Sequence, residues 1–315
     1  MLKLAPTATL PADTAVSFTE VRKIFMQKQP PQGIRDFLKP RCKTVNALDA
    51  VSFTIKRGEL IAYAGPNGAG KSTTIKLMGA MLAPNEGEIA VLGMHPLKNR
   101  IPLMRRLGIL FGNRSELWWD HPVSSSYSWK QKVWDISKGD FGEMEKLVLD
   151  LLDIRPFYNT FARELSLGQR MRADLGMMLL HRPEFILLDE PTLGLDVLAK
   201  RQIIAFLKQL NREEGTTIIV TSHDMDDLEE MAQRILLISS GKIAFDGSFF
   251  ALRDELGYSR KALVLYKDGS SREIAYEDTG KMLLELSQMD NVSDVSFTQS
   301  SLEEGLANLY VKWRQ

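Results

Sequence analysis

The sequence predicts an α/β fold built around a largely parallel β-sheet, and three observations carry that prediction. Apolar runs of strand length alternate with runs of helical apolar period from about Ala15 to Phe245. Three short apolar runs are bounded by turn or helix signals, namely FILLD, TTIIVTS and RILLIS. Such runs are typical of central parallel strands buried on both faces. A helical pattern, VLAKRQIIAFLKQLNREE, separates the first two of them, as expected of a β-α-β unit.

The earlier elements follow from the same patterns in chain order. VSFTIKRGELIAYAG predicts two strands joined by a turn at Arg57 and Gly58, and the second strand is apolar enough to be buried. KSTTIKLMGAML then predicts a helix, and EIAVL and GILF predict two further strands. The basic, proline-bearing segment from Gln27 to Asn46 predicts a surface insertion, with a foot on a membrane or partner as the alternative.

Two later regions depart from this alternation. The region from about Pro122 to Glu164 lacks strand signals and predicts a mostly helical segment. After Gly247 a separate pattern begins, with ALVLY, REIAY and VSDVSF as strands and a helical apolar period from Thr279 to Gln288. We therefore expect a small C-terminal α+β unit after the α/β domain.

Composition excludes several classes of protein. The 315 residues contain 40 Lys and Arg against 40 Asp and Glu, so the whole chain is not a polycation suited to nucleic acid. Cys42 is the only cysteine, which excludes an internal disulfide and suits a reducing cytosol. The first residues lack the apolar core of a signal peptide, and no run of about 18 apolar residues predicts a membrane span. A role at a membrane is therefore expected to need a partner.

The stretch GPNGAGKS is the first motif that predicts chemistry. It fits the pattern G-x-x-x-x-G-K-[ST], and an apolar strand precedes it while a helix follows. Glycines let the backbone wrap a phosphate closely, and the start of the helix adds partial positive charge. Lys71 is expected to bridge the β- and γ-phosphates, and Ser72 to ligate Mg²⁺. The predicted phosphate-binding residues are Gly65, Pro66, Asn67, Gly68, Ala69, Gly70, Lys71 and Ser72.

Two carboxylates follow a buried strand in FILLDEPTLGLD. Asp189 stands at the carboxyl end of the strand, where ligands collect in open α/β sheets, and we expect it to hold Mg²⁺. Glu190 is placed to accept a proton from an attacking water. His223 follows another buried strand, predicted to neighbour the first, and is expected to hydrogen-bond a γ-phosphate. The alternatives are solvated acids at a strand end and a histidine that is a cap or a surface group.

In their order along the chain, the motifs GPNGAGKST, LSLGQR, ILLDEP, GLD and SHD resemble those of the ATP-binding subunits of ABC transporters. The resemblance covers roughly Val16 to Gly247. It implies a P-loop NTPase fold with an N-terminal antiparallel β subdomain and a helical subdomain, at about residues 120–182, that carries LSLGQ. It also implies a nucleotide-binding domain over residues 1–248, which leaves residues 249–315 as the C-terminal α+β extension.

The resemblance assigns a role to LSLGQ. In this family two copies pack head to tail, and the signature of each copy contacts ATP held by the other. The resemblance therefore implies a homodimer in which Ser166, Gly168 and Gln169 face the γ-phosphate bound at the second copy's Lys71. The family usually has glycine where this chain has Leu167, but a backbone N–H donates whatever the side chain is. Serine also caps helices well, so a local role for Ser166 stays open.

Four other positions take their roles from the resemblance alone. Thr73 is implied to contact the α-phosphate, and Asp196 to lie in the loop that links the two sites across the dimer. Phe25 is implied to stack on adenine, where the family often has tyrosine. The family has a glutamine at the end of the strand that corresponds to GILF, and this chain lacks it. Asn113 is the nearest side-chain amide, and it is implied to reach Mg²⁺ or the attacking water in its place.

A cluster of large apolar residues follows the same strand. Leu117, Trp118 and Trp119 stand together at the junction with the helical subdomain. The family docks a short cytoplasmic helix of its membrane subunit there, and large aromatic rings dominate the energetics of such interfaces. We therefore expect this cluster to contact a permease, with burial of both tryptophans in the core as the alternative.

The resemblance as a whole implies an ATPase that uses ATP and Mg²⁺ to drive a separate membrane permease from the cytoplasmic face of the membrane. The C-terminal unit and ISSGKIAFDGS resemble the ABC ATPases of exporters, so export is predicted over import. No nucleic-acid partner is expected. One alternative is a soluble ABC ATPase that acts on ribosomes or DNA. The other is a weakly catalytic, nucleotide-dependent regulator, which the departures at Leu167 and Asn113 would suit.

Overall fold

The computed structural model describes residues 13–28, 42–112, 114–256, 260–276, 279–299, 302–303, 305–306 and 309. Most of the predicted surface insertion lies outside the described residues, as does Asn113. The chain divides into two compact units, Met1–Asp246 and Gly247–Gln315. The domains that we propose from the sequence remain residues 1–248 and 249–315.

An antiparallel sheet opens the first unit. It consists of β1 (Thr14–Lys28), β2 (Cys42–Lys56) and β4 (Glu86–Val91), with β1 in the middle and antiparallel to both neighbours. Its inner face is apolar, and Phe18 of β1 stacks on Phe53 of β2 with ring centroids 4.6 Å apart. Burial of one face follows from the period-two alternation of the strands. The expected N-terminal antiparallel subdomain is confirmed.

Six strands form the central sheet of the first unit. They are β3 (Leu60–Ala64), β5 (Leu107–Phe111), β6 (Phe185–Asp189), β7 (Thr217–Thr221), β8 (Arg234–Ser239) and β9 (Lys242–Ser248). Their order is β5-β6-β7-β3-β8-β9, and the first five run parallel. The apolar residues of β6 and β7 are buried, as in a sheet covered on both faces. The carboxyl ends of β3, β6 and β7 therefore meet at one edge.

Helices connect these strands. The helix α1 (Lys71–Met78) follows β3, and α2 (Arg100–Met104) precedes β5. A helical segment between β5 and β6 contains α3 (Val123–Val133), α4 (Lys138–Leu151) and α5 (Leu167–Leu179), with 3₁₀ turns at Arg155–Phe157 and Ala162–Glu164. The buried side of α5 packs against α3, α4 and β5. Finally, α6 (Val197–Glu214) leads to β7, and α7 (Met225–Met231) leads to β8. The predicted parallel α/β fold with a helical subdomain is confirmed.

The second unit has its own small sheet. It begins with α8 (Phe249–Glu255), and its strands are β10 (Arg260–Tyr266), β11 (Ser271–Tyr276) and β12 (Val292–Gln299) in the antiparallel order β11-β10-β12. The helix α9 (Thr279–Ser287) joins β11 to β12. Alternate residues of β10, Ala262 and Val264, are buried, and so is Met282 of α9. This is the α+β pattern that the sequence predicts.

The length and hydropathy of the helices decide whether any of them could span a membrane. Across the ranges that the structure describes, no helix is both long enough and apolar enough to span a bilayer.

Candidate functional site

The phosphate loop lies between β3 and α1 and is pressed against two neighbouring strands. A Cβ atom added at Gly65 would lie 2.1 Å from the carbonyl oxygen of Ile238. A Cβ added at Gly70, where φ is +119°, would lie 2.7 Å from the carbonyl oxygen of Ala47. Only glycine fits these positions, because both obstacles are backbone atoms that cannot rotate away. The loop is therefore held tightly while its middle, around Gly68, stays open.

Lys71 begins α1 and folds back over the loop. Its ammonium group donates to the carbonyl oxygen of Gly65 at 2.6 Å and to that of Pro66 at 3.3 Å. The residue is only 7% exposed, and burial lowers the pKa of its ammonium group, while Glu190 and Asp189 act to raise it. The cation is thus enclosed by the same backbone and carboxylates that surround the predicted phosphate site.

Asp189 and Ser72 bring two oxygen donors together. The Ser72 hydroxyl lies 3.3 Å from Oδ2 of Asp189, to which it donates, and the Thr221 hydroxyl donates to Oδ1 of Asp189 at 2.7 Å. Hydroxyl and carboxylate oxygens are the ligand types that Mg²⁺ binds, and it usually adds phosphate oxygens and water. The two residues therefore fit a Mg²⁺ ion shared with a nucleotide. Within the described ranges, no group of three or more His, Cys, Asp or Glu side chains forms a metal site by itself.

Glu190 and His223 form a pair beside these residues. Nε2 of His223 lies 2.7 Å from Oε1 of Glu190, and both side chains are partly exposed. Glu190 has φ +59°, a left-handed conformation that is uncommon for residues other than glycine. Its amide is held by the carbonyl oxygen of Thr221 at 3.1 Å, and the Gly112 amide donates to the carbonyl of Asp189 at 2.7 Å. The backbone on both sides thus aims the carboxylate toward His223.

The structure adds two positioning residues that the motifs do not name. Thr221 closes β7 and bonds to both Asp189 and the Glu190 amide. At Gly112, a Cβ atom would lie 2.4 Å from the carbonyl oxygen of Glu190, so a larger residue would push the carboxylate away. The polar ending of TTIIVTS is a signal that could have pointed to Thr221. The role of Gly112 depends on strand register, which the sequence does not display.

Ser166 begins α5 as a helix cap. Its hydroxyl accepts from the Gln169 amide at 3.2 Å, and Oε1 of Gln169 accepts from the Ser166 amide at 2.9 Å, which completes a capping box. The local role of Ser166 is thereby confirmed. Leu167 is 44% exposed, and one of its methyl groups lies 3.0 Å from the Cβ position of Gly194. The tip of α5 therefore packs on the loop that precedes α6.

Asp196 and Gly168 meet at the same place. Asp196 caps α6, because its Oδ1 accepts from the Ala199 amide at 2.8 Å. A Cβ atom at Gly168 would lie 3.3 Å from Cβ of Ala199, so there is little room for a side chain there. The signature and the loop that carries Asp196 are thus neighbours in one chain.

Phe25 lies on the hairpin that passes the phosphate loop. It pairs with Val45 in the β1–β2 register, and the ammonium group of Lys23 lies 5.1 Å from its ring centroid. Its ring is 37% exposed, and Leu48 of the facing strand touches the Cβ position of Gly70. Phe25 is therefore exposed enough for a ligand to reach, and its role toward adenine stays a prediction.

The apolar cluster after β5 divides in two. Leu117 is buried, so its predicted part in a docking surface is wrong: its side chain lies in the core. Trp118 and Trp119 are 38% and 54% exposed, which excludes the alternative that both are core residues. The guanidinium group of Arg170 lies 4.6 Å above the Trp119 ring, and Trp118 contacts the rings of His121 and Trp129.

Comparison with known proteins gives one family match. A family profile described as ABC transporter matches residues 48–193, which run from β2 past the phosphate loop and the signature to the loop that follows Glu190. The chain is 29% identical over 210 residues to the ABC transporter ATP-binding protein NatA of Bacillus subtilis, covering 67% of this chain and 85% of NatA. It is 31% identical over 229 residues to a putative ABC transporter ATP-binding protein of Pyrococcus horikoshii, covering 71% and 86%.

One further relative and one solved structure are also similar to this chain. The chain is 31% identical over 219 residues to the methionine import ATP-binding protein MetN of Mesorhizobium japonicum, covering 68% of this chain and 60% of MetN. Among solved structures, a dimeric ATP-binding cassette in a post-hydrolysis state, bound to ADP and Pi, has a TM-score of 0.63 and 24% identity. That match covers 74% of this chain and 98% of the other, and it establishes likeness of fold.

Proposed function

The chain belongs to the ATP-binding proteins of ABC transporters and hydrolyses ATP, and from that premise we propose that two copies of it drive a separate membrane permease. One observation carries the chemistry. The Glu190–His223 pair, the Ser72–Asp189 pair and Lys71 surround one phosphate loop at the edge of the parallel sheet. This is the set of groups that cleavage of a terminal phosphate needs.

ATP binding follows from the loop and its neighbours. The backbone N–H groups of residues 67–72, which include the start of α1, hold the β- and γ-phosphates, and Lys71 exchanges its carbonyl contacts for phosphate oxygens. Thr73 reaches the α-phosphate, and Phe25 stacks on the adenine. Ser72 and Asp189 hold Mg²⁺, with Asn113 as a third candidate. When bound, the ion neutralises charge on the phosphate oxygens.

Hydrolysis follows from Glu190 and His223. Glu190 accepts a proton from a water whose oxygen attacks the γ-phosphorus, while the bond to the bridging oxygen breaks and ADP leaves. His223 donates to Glu190 through Nε2, fixes the orientation of the carboxylate, and stands within reach of a γ-phosphate oxygen. Thr221 and Gly112 keep the backbone of Glu190 in the conformation that this geometry requires.

The proposed dimer uses the tip of α5. Ser166, Gly168 and Gln169 of one copy face the γ-phosphate held by the second copy, and the helix start adds partial positive charge there. Asp196 caps α6 beside this tip, so it is placed to link the two sites. The solved cassette described above is a dimer, which supports the same arrangement here.

The permease and the direction of transport are the finer parts of the proposal. In this proposal the exposed rings of Trp118 and Trp119 contact an integral membrane permease, and the chain works at the cytoplasmic face of the membrane. The small C-terminal unit supports export, although MetN, an import protein, is among the relatives. Balanced charge gives no reason to add a nucleic-acid partner.

Two measurements on the purified full chain test this function. We expect Mg²⁺-dependent release of phosphate from ATP that Glu190→Gln abolishes and Glu214→Gln, an exposed change on α6, leaves in place. We also expect a polytopic membrane protein to co-purify with the tagged chain from detergent-solubilised membranes. Its loss in a Trp118→Ala, Trp119→Ala double variant would support the docking surface. Phosphate release without any such partner would leave an ATPase that is not a transporter subunit.

A further inference from the structure

A buried carboxylate on α5 holds the loop that follows β5. We define the tryptophan loop as residues 114–120. Oδ1 of Asp174 accepts from the Ser115 hydroxyl at 3.0 Å and from the Glu116 amide at 3.0 Å. The Ser115 hydroxyl oxygen in turn accepts from the Leu117 amide at 3.2 Å. A single carboxylate oxygen therefore fixes three successive residues of the loop.

The surroundings of Asp174 make this carboxylate costly. The residue is only 5% exposed, and burial raises the pKa of its carboxyl group to about 7, while the loop donors act to lower it. The nearby ammonium group of Lys130 pairs with the carboxylate of Glu116, at 3.3 Å. Burying a charge costs free energy that hydrogen bonds only partly offset. An apolar residue at this position would pack in α5 without that cost in free energy. Packing alone therefore does not explain why a carboxylate acceptor stands here.

The two ends of the loop give that reason. Just before it, Gly112 bonds to the carbonyl of Asp189 and packs on the backbone of Glu190. At its far end, the Trp118 amide donates to the buried hydroxyl of Ser126 at 2.9 Å, and Trp119 lies under the guanidinium group of Arg170. Arg170 is one helical turn from Ser166, and its amide donates to the Ser166 carbonyl at 2.9 Å. Gly112 thus contacts the end of β6, and the tryptophan loop that follows contacts α5 and carries the exposed Trp118 and Trp119.

On the basis of the proposed function, we propose that Asp174 is a positioning residue that ties the tryptophan loop to the signature helix. Through Ser115 and Glu116, a displacement of Trp118 and Trp119 by a partner is transmitted to α5. The tether needs an acceptor oxygen at Oδ1 and does not need the negative charge.

Two variants of the full chain with side chains of similar size distinguish the effect of the acceptor oxygen of Asp174 from the effect of its side-chain volume. Asp174→Asn keeps an oxygen that can accept from Ser115 and Glu116, and Asp174→Leu removes it. Hydrogen exchange read by mass spectrometry should show at least about tenfold faster exchange of the Glu116 and Leu117 amides in the Leu variant, with the phosphate-loop peptide unchanged. We expect kcat to fall about fivefold or more while KM for ATP stays within about twofold. The Asn variant should restore both loop protection and most of kcat.

Other outcomes decide against the tether. The proposal would be overturned if the Glu116 and Leu117 amides of Asp174→Leu exchanged as slowly as those of the parent chain. It would also be overturned if the Asn and Leu variants lost kcat equally while these amides in the Asn variant still exchanged slowly. If the Leu variant does not fold, Ser115→Ala carries the test, because it removes one donor without burying a new group. Unchanged exchange of the Leu117 amide in that variant would overturn the proposal. Absence of hydrolysis in the parent chain would instead contradict the proposed function.

Discussion

The catalytic edge of the central sheet and the tip of α5 differ in how completely one chain builds them. At the edge, residues from α1, β6 and β7 bond directly to one another, as Ser72, Asp189 and Thr221 do. At the tip, Ser166 and Gln169 satisfy each other in a capping box, and Leu167 packs on Gly194. The first region is the proposed reaction centre, and one chain builds it. The second is a stable surface that, in the proposed dimer, completes a site only when a second copy meets it.

The substitution with the largest expected effect on the rate of hydrolysis changes only the catalytic edge. Glu190→Gln removes the group that takes the proton from water, and loss of a general base lowers rates by about 10²–10⁴-fold. ATP binding should persist, and the ATP-loaded pair should accumulate because it cannot turn over. Phosphate release and size-exclusion chromatography with ATP measure the two effects. A parent-like rate would show that another group is the base.

Lys71→Ala tests the same edge through binding. A charge-assisted contact contributes about 1.5–3 kcal/mol, so the affinity for ATP should fall by about 10- to 150-fold. Titration calorimetry measures this loss. Lys76→Ala is the matched control, because it removes an equal charge from the exposed side of the same helix. Equal affinities in the two variants would place the phosphates elsewhere.

Much of the catalytic edge could be predicted because its signals are local. The glycines, Lys71 and Ser72 lie within eight residues, and Asp189 and Glu190 directly follow an apolar strand. Thr221 and Gly112 were missed because their contacts depend on the register of β5, β6 and β7. The error at Leu117 has the same origin: in a loop without period, the sequence does not show which neighbouring apolar residue turns inward. The antiparallel sheet was expected from the family resemblance, whereas the helical segment was also expected from the lack of strand signals between Pro122 and Glu164.

The helix that carries the signature should make the stability of the fold depend on pH through Asp174. Folding raises the pKa of Asp174 to about 7, so the protonated form favours the folded state. The stability from this group is fully present below about pH 4 and is lost as the pH rises through about 7.

Asp174→Asn cannot titrate and isolates this effect. Relative to the parent chain it should gain on the order of 1–3 kcal/mol of unfolding free energy between pH 5 and pH 8. The partly buried His181, whose pKa burial lowers to about 4, changes stability in the opposite sense but is common to both proteins and cancels. Melting temperatures measured at each pH check the difference. A pH-independent difference would mean that Asp174 does not titrate on folding.

The smallest expected effect concerns the cap at the tip. Ser166→Ala removes a helix cap worth about 1 kcal/mol, and Ser137→Ala makes the same change at the start of α4. Both variants should lose similar stability on heating. Only Ser166→Ala should also weaken ATP-driven pairing of two copies, which sedimentation with the Glu190→Gln background detects. Equal pairing in both would reduce Ser166 to a local cap.

In the proposed dimer, each nucleotide is held by the phosphate loop of one copy and the α5 tip of the other. A cryo-EM structure of the ATP-loaded Glu190→Gln protein would show whether this is so. We predict a symmetric pair in which residues 166–169 of each copy lie within about 3 Å of the terminal phosphate bound by the second copy. A nucleotide-loaded pair with those residues far from any phosphate would rule out this arrangement of the two copies.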